Sequence, residues 1–107
     1  MPGRIPEADW KIFRQLHEVW LERYCTQTNE QTQRLLSKPG VSSYDRYLEV
    51  YKFIRDKDRE LGFAFDDFRR STATLQIRII KNLGVITEEE LGTFSEPTRA
   101  FALEKWE

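Results

Sequence analysis

The chain has 107 residues, of which 39% are hydrophobic, 33% charged and 13% aromatic. That balance fits one soluble helical domain over residues 1–107 and argues against disorder for most of its length. With 17 lysines and arginines against 18 aspartates and glutamates, the whole-molecule field offers no attraction to nucleic acid or to an anionic membrane, so any basic surface has to be local.

The first residues lead straight into a charged helical pattern. No apolar run there is long enough for a signal peptide or a membrane span, so the expectation is a cytoplasmic protein with no membrane partner. The lone cysteine, Cys25, agrees, since it can form neither an internal disulfide nor a cysteine-built zinc site.

Pro6-Glu7-Ala8-Asp9 is a helix start, with proline in the first turn and carboxylates where the helix dipole favours negative charge. It predicts a first helix over about 7–37. Trp10, Ile12, Phe13, Leu16, Val19, Trp20 and Tyr24 form an apolar stripe wider than a two-stranded seam needs, so this helix should touch more than one partner. From Cys25 to Gln33 the pattern turns polar, and apolar character returns only at Leu35 and Leu36. Lys38-Pro39-Gly40 then stops the helix. Ser42 or Ser43 can cap the next one, and so short a connection predicts an antiparallel hairpin.

Alternating steps of three and four from Tyr44 reach Tyr47, Tyr51, Ile54, Asp58, Leu61, Phe65, Phe68, Thr72, Leu75, Ile79 and Asn82. This spacing predicts one continuous helix over about 43–83, roughly 60 Å long, running through Gly62. Doubling back on the first helix, it would bring Asp58 close to Arg23, and a seam carboxylate needs such a partner; the pair is expected to set the hairpin register. Tyr44, Tyr47 and Tyr51 would face the polar half of the first helix, where apolar partners are scarce. An interface is the favoured reading for them, against the plainer one in which that half covers them with its methylenes and amides.

The far end of the second helix would leave Leu75, Ile77, Ile79, Ile80 and Leu83 uncovered. Leu75 and Ile79 therefore join the three tyrosines as interface candidates. The rest of the chain can supply cover: Gly84 ends the helix, Thr87-Glu88-Glu89-Glu90 has the form of a capping box, and Ser95-Glu96-Pro97 opens a last short helix. Val85, Ile86, Leu91, Phe94, Phe101, Leu103 and Trp106 can fold back over that end or pack on a second chain.

Groups that carry chemistry are thin. His17 has Arg14, not a glutamate, three residues before it, so the di-iron spacing is missing, and a structural histidine in an aromatic cluster is preferred. A ligand or enzyme pocket around His17, Trp10 and Trp20 is the weaker reading. Cys25 has no second histidine to act as base. Asp56, Asp58 and Glu60 alternate with Arg55, Lys57 and Arg59, as on a solvated helix face. No phosphate loop or serine-nucleophile motif is present, and no catalytic residue, cofactor or metal is assigned. Arg69, Arg70, Arg78 and Lys81 form the one basic concentration, which Asp66 and Asp67 weaken.

The expectation is an all-α protein: a long antiparallel hairpin, about 7–37 against 43–83, with short C-terminal helices on one end. Two hairpins would pair as a homodimeric four-helix bundle. The favoured function is a non-enzymatic protein-protein interaction module. The alternative is a small nucleic-acid-binding regulator using the basic face.

Overall fold

The structure is a computed structural model and describes residues 5–104. Five helices follow one another: α1 (Glu7–Leu36), α2 (Ser43–Phe65), α3 (Ala73–Asn82), α4 (Glu88–Leu91) and α5 (Glu96–Leu103), with a single 3-10 turn at Arg70–Thr72 before α3. The fold is all-α, and α1 and α2 form the expected antiparallel hairpin. Trp106 lies outside the described residues.

At 30 residues α1 is about 45 Å long and sets the long axis of a molecule measuring 52 × 23 × 23 Å. Glu7 and Asp9 stand in its first turn and Arg34 in its last, each with the sign the helix dipole favours. Its polar second half is helical throughout. Gly40, at φ 75°, supplies the left-handed turn after α1, and the Ser42 hydroxyl accepts from the Asp45 amide at 3.1 Å to cap α2.

The second arm does not run to residue 83 as one rod. It passes through Gly62 as expected but ends at Phe65, and the chain leaves the helix at Asp66–Arg69. Local bonds compete with the helical ladder there. The Asp67 carbonyl accepts from the Arg69 amide at 3.1 Å and from the Thr72 hydroxyl at 2.9 Å, while the Arg69 guanidinium holds the Asp67 carboxylate at 2.6 Å. The break turns Phe68 back onto α1, where its ring stacks on His17 at 4.0 Å and meets Phe13 edge-on at 5.4 Å.

His17 is therefore a core residue, as its aromatic neighbours suggested. Phe65 lies edge-on at 5.3 Å, and His17 Nε2 donates to the Phe65 carbonyl at 3.3 Å, near the end of α2. Burial holds its pKa below the usual histidine value, against the opposing pull of the Phe65 carbonyl and the Glu18 charge.

Beyond the break, α3 packs chiefly on α5 and also touches α1 and α2. Its Ile77 and Ile80 are fully buried with Phe13, Trp20, Val85 and Phe94, so the C-terminal segment folds back within the same chain. Two carboxylates tie that segment to α1. Asp9, buried in the first turn of α1, accepts from the Ser95 amide at 2.9 Å and the Thr98 hydroxyl at 2.6 Å, and so caps α5 from a distance. Burial pushes its pKa up, but these bonds, with the Ser95 hydroxyl and the Arg99 charge, outweigh it and leave the group lowered.

Glu90 is the second tie. It closes the expected capping box with Thr87. It also accepts from Trp20 Nε1 at 3.0 Å and takes the Arg23 guanidinium through two bonds of 2.8 and 3.0 Å. The expected pair of Arg23 with Asp58 is thus absent. Asp58 is exposed, because the row of α2 turned to α1 is Arg46, Val50, Phe53, Lys57 and Ala64. The row from Tyr44 to Asp58 lies roughly 100° farther round the helix.

Replacing Glu90 with glutamine should cost about 2–3 kcal/mol in urea denaturation at pH 7, since it removes a charged acceptor from Arg23. The Arg23 bond, against burial and helped by the Thr87 amide and Trp20, holds Glu90 at about 2, below the 4.5 of a free carboxyl. Its folded value lies below the unfolded one, so its stabilisation is whole above 4.5 and is lost as pH falls toward 2. His17 is depressed in the same sense, so its share is whole above 6.5 and declines below it. Acid titration of stability should show both phases, and only the earlier one should vanish in His17→Gln. Gln76, 3% exposed, has no hydrogen-bond partner for either amide atom among the described residues. Gln76→Met should therefore stabilise by about 1–3 kcal/mol, and a loss instead would mean that the amide is satisfied.

Candidate interaction surface

Two helices side by side cover only one stripe of each other. At the head, α3–α5 complete a core against the inner face of α1. Farther out nothing does, and no residue from 25 to 63 is buried. The molecule is thus a packed head carrying a two-helix stalk. Exposed large apolar groups gather on that stalk: Leu36 at 54%, Tyr44 at 68%, Tyr47 at 63%, Tyr51 at 54%, Ile54 at 46% and Phe63 at 73%.

Five of these six lie along or beside one face, and Phe63 lies on the opposite flank of α2, about 145° away. On this face an open groove of about 370 Å³ is lined by Leu36, Ser43, Arg46, Tyr47, Val50 and Tyr51. A smaller one of about 160 Å³ lies toward the head between Cys25, Thr28 and Asn29 of α1 and Ile54, Lys57, Asp58 and Leu61 of α2. Tyr51 and Ile54 are three residues apart, so the two depressions share a face. Together they run some 16 Å along α1 from Cys25 to Leu36.

Local contacts hold the walls in place. The Arg55 guanidinium sits 5.8 Å from the Tyr51 ring, and Lys57 Nζ lies between the Phe53 and Tyr24 rings at 5.7 and 5.9 Å. Arg46 donates to the Lys38 carbonyl across the hairpin turn. At the head end, the Tyr24 hydroxyl donates to Glu60 at 2.7 Å. Burial first, and then that carboxylate, raise its pKa, so it stays a neutral donor.

Charge is unevenly spread along the groove. Glu18, Glu22 and Asp58 stand at its head end with no ion pair among the described residues. Arg46 lines its outer half, Lys38 lies at the hairpin turn, 3.5 Å from Glu49, and of the cations nearer the head Lys57 stands beside Asp58 while Arg55 is 3.5 Å from Asp56.

The residues singled out from sequence divide between stalk and head. Tyr44, Tyr47 and Tyr51 are exposed on the stalk and are not covered by α1. Leu75, 42% exposed, and Ile79, half-buried against the core, belong to α3 in the head, so the helix break separates them from the tyrosine row. Three of the four residues of the basic concentration pair with carboxylates of the same chain. Arg69 pairs with Asp67 at 2.6 Å and Arg70 with Glu7 at 2.7 Å. Arg78 is buried with its guanidinium 3.8 Å from the Phe101 ring and paired with Glu104. Lys81 is half-buried. Sequence reasoning missed Leu36, Val50 and Ile54 as groove residues. Their shared signal is the lack of any large apolar group on the facing stretch from Thr26 to Arg34.

Among the described residues no group of three or more histidine, cysteine, aspartate or glutamate side chains is placed to hold a metal ion, and no helix is long and apolar enough to cross a membrane. Comparison with protein families, curated proteins and solved structures yields no match.

A surface row should contribute little to the fold of the isolated chain. In dilute protein, Tyr47→Ser combined with Tyr51→Ser should change unfolding stability by less than about 1 kcal/mol, whereas Phe13→Ala should cost about 3–5 kcal/mol. A loss above about 2 kcal/mol in the tyrosine variant would show that those rings belong to the core of the single chain.

Proposed function

We propose that this protein is a non-enzymatic helical interaction module, whose stalk groove receives a partner helix pair and which self-associates into a helical bundle. One observation carries the reading: the stalk, residues 25–63, has no fully buried residue, while Leu36, Tyr47, Tyr51 and Ile54 line two neighbouring depressions on one face. Aromatic surface of this kind is what protein interfaces concentrate at their centre. A two-helix hairpin acquires an interior when a second hairpin closes over it. The free, half-buried Cys25 in the groove fits a cytoplasmic setting, where thiols stay reduced.

A standard interface takes about 800 Å² from each partner, roughly one ninth of the 7339 Å² surface of this chain. Size-exclusion chromatography with light scattering tests the reading. Wild-type protein at micromolar concentration should have twice the chain mass, and Tyr51→Glu with Ile54→Glu should run as a folded monomer. A wild-type monomer at that concentration would overturn self-association.

A further inference from the structure

We infer that the occupant of the groove is a second copy of this chain laid antiparallel, with the two-fold axis passing near Thr28 of α1 and Ile54 of α2. The inference rests on the self-association reading and adds its direction and register. Charge decides the direction. The head end of the groove carries Glu18, Glu22 and Asp58, with no ion pair among the described residues, against the single lining cation Lys57; the only charged residue lining its outer end is Arg46, with Lys38 beyond it at the hairpin turn, 3.5 Å from Glu49. A parallel arrangement stacks acid on acid at one end and base on base at the other. The antiparallel one sets each acidic end against the basic end of the other copy, and like-charge contact is what excludes wrong arrangements at an interface.

Length decides the register. The groove, with its extension to Leu21 on α1, spans about 22 Å, and only a crossing at its midpoint lets each copy cover all of the other's groove. At that crossing α1 offers the small side chains Cys25, Thr28 and Thr32, which permit close approach of the two α1 helices. The same crossing places Cys25 level with Thr32 of the second copy. It leaves the two Cys25 residues about 10 Å apart, too far to bridge.

The test is disulfide formation in the full chain. Thr32→Cys, with native Cys25 retained, should give a covalent dimer under mild oxidation. Wild type, and Thr32→Cys combined with Cys25→Ser, should not. Cys25 and residue 32 are two turns apart on one helix, so a bridge within one chain is excluded. As an independent measure, Asp58→Arg should raise the dimer dissociation constant about tenfold, and adding Arg46→Asp should restore it. A dimer in light scattering that neither cross-links through residue 32 nor is restored by the charge swap would overturn the antiparallel register and leave self-association standing. A monomer would overturn both.

Discussion

The structure depends on the helix break that sets Phe68 against His17. Had α2 continued straight, Ile77 and Ile80 would have extended beyond the start of α1 with nothing to cover them. By leaving the helix at Asp66, the chain turns Phe68 onto His17 and Phe13, and α3 falls in beside α5 and the first half of α1. Ile77, Ile80, Val85 and Phe94 of the C-terminal third are then buried against one end of α1. The consequence is an asymmetric molecule, with a head whose core is filled and a stalk that has no interior.

Electrostatic ties make the head a unit. Asp9 reaches the start of α5, Glu90 reaches Trp20 and Arg23, Arg70 reaches Glu7, and Arg78 reaches the end of α5. Each joins residues far apart in the chain, and two of the carboxylates also complete a helix cap. Arg70 and Arg78 are taken up by these ties, whereas Arg69, paired with Asp67 two residues away, stays exposed. Among the described residues the stalk is tied across its two helices only at its ends, by Tyr24 to Glu60 and Lys57 at the base and by Arg46 and Glu49 to Lys38 at the turn. Local opening should therefore be easiest there, in the part that the proposed function uses.

Local signals in the chain were legible and correct: Pro6 before α1, Lys38-Pro39-Gly40 at the turn, Ser42 before α2, the Thr87 capping box and Pro97 in α5. The break was not legible from periodicity, because Phe68, Thr72, Leu75 and Ile79 keep the phase of the preceding helix. The sequence does contain its chemistry, in Asp67 and Thr72: the Thr72 hydroxyl donates to the Asp67 and Arg69 carbonyls, and the Asp67 carboxylate accepts from Arg69. Partner choice over long separations was out of reach as well. Asp58 and Glu90 are both carboxylates at plausible distances from Arg23, and only the position of α4 selects between them. The tyrosine row stood out in the sequence, but its period alone could not show that it lies beside the hairpin seam rather than within it.

Hydrogen exchange followed at two protein concentrations tests the central claim, that the stalk lacks an interior until another chain supplies it. In dilute protein, amides of residues 25–36 and 43–61 should exchange much faster than those around Trp20 and Ile77, and their protection should rise as concentration increases while the head stays unchanged. Equal protection of stalk and head in dilute protein, independent of concentration, would contradict the account.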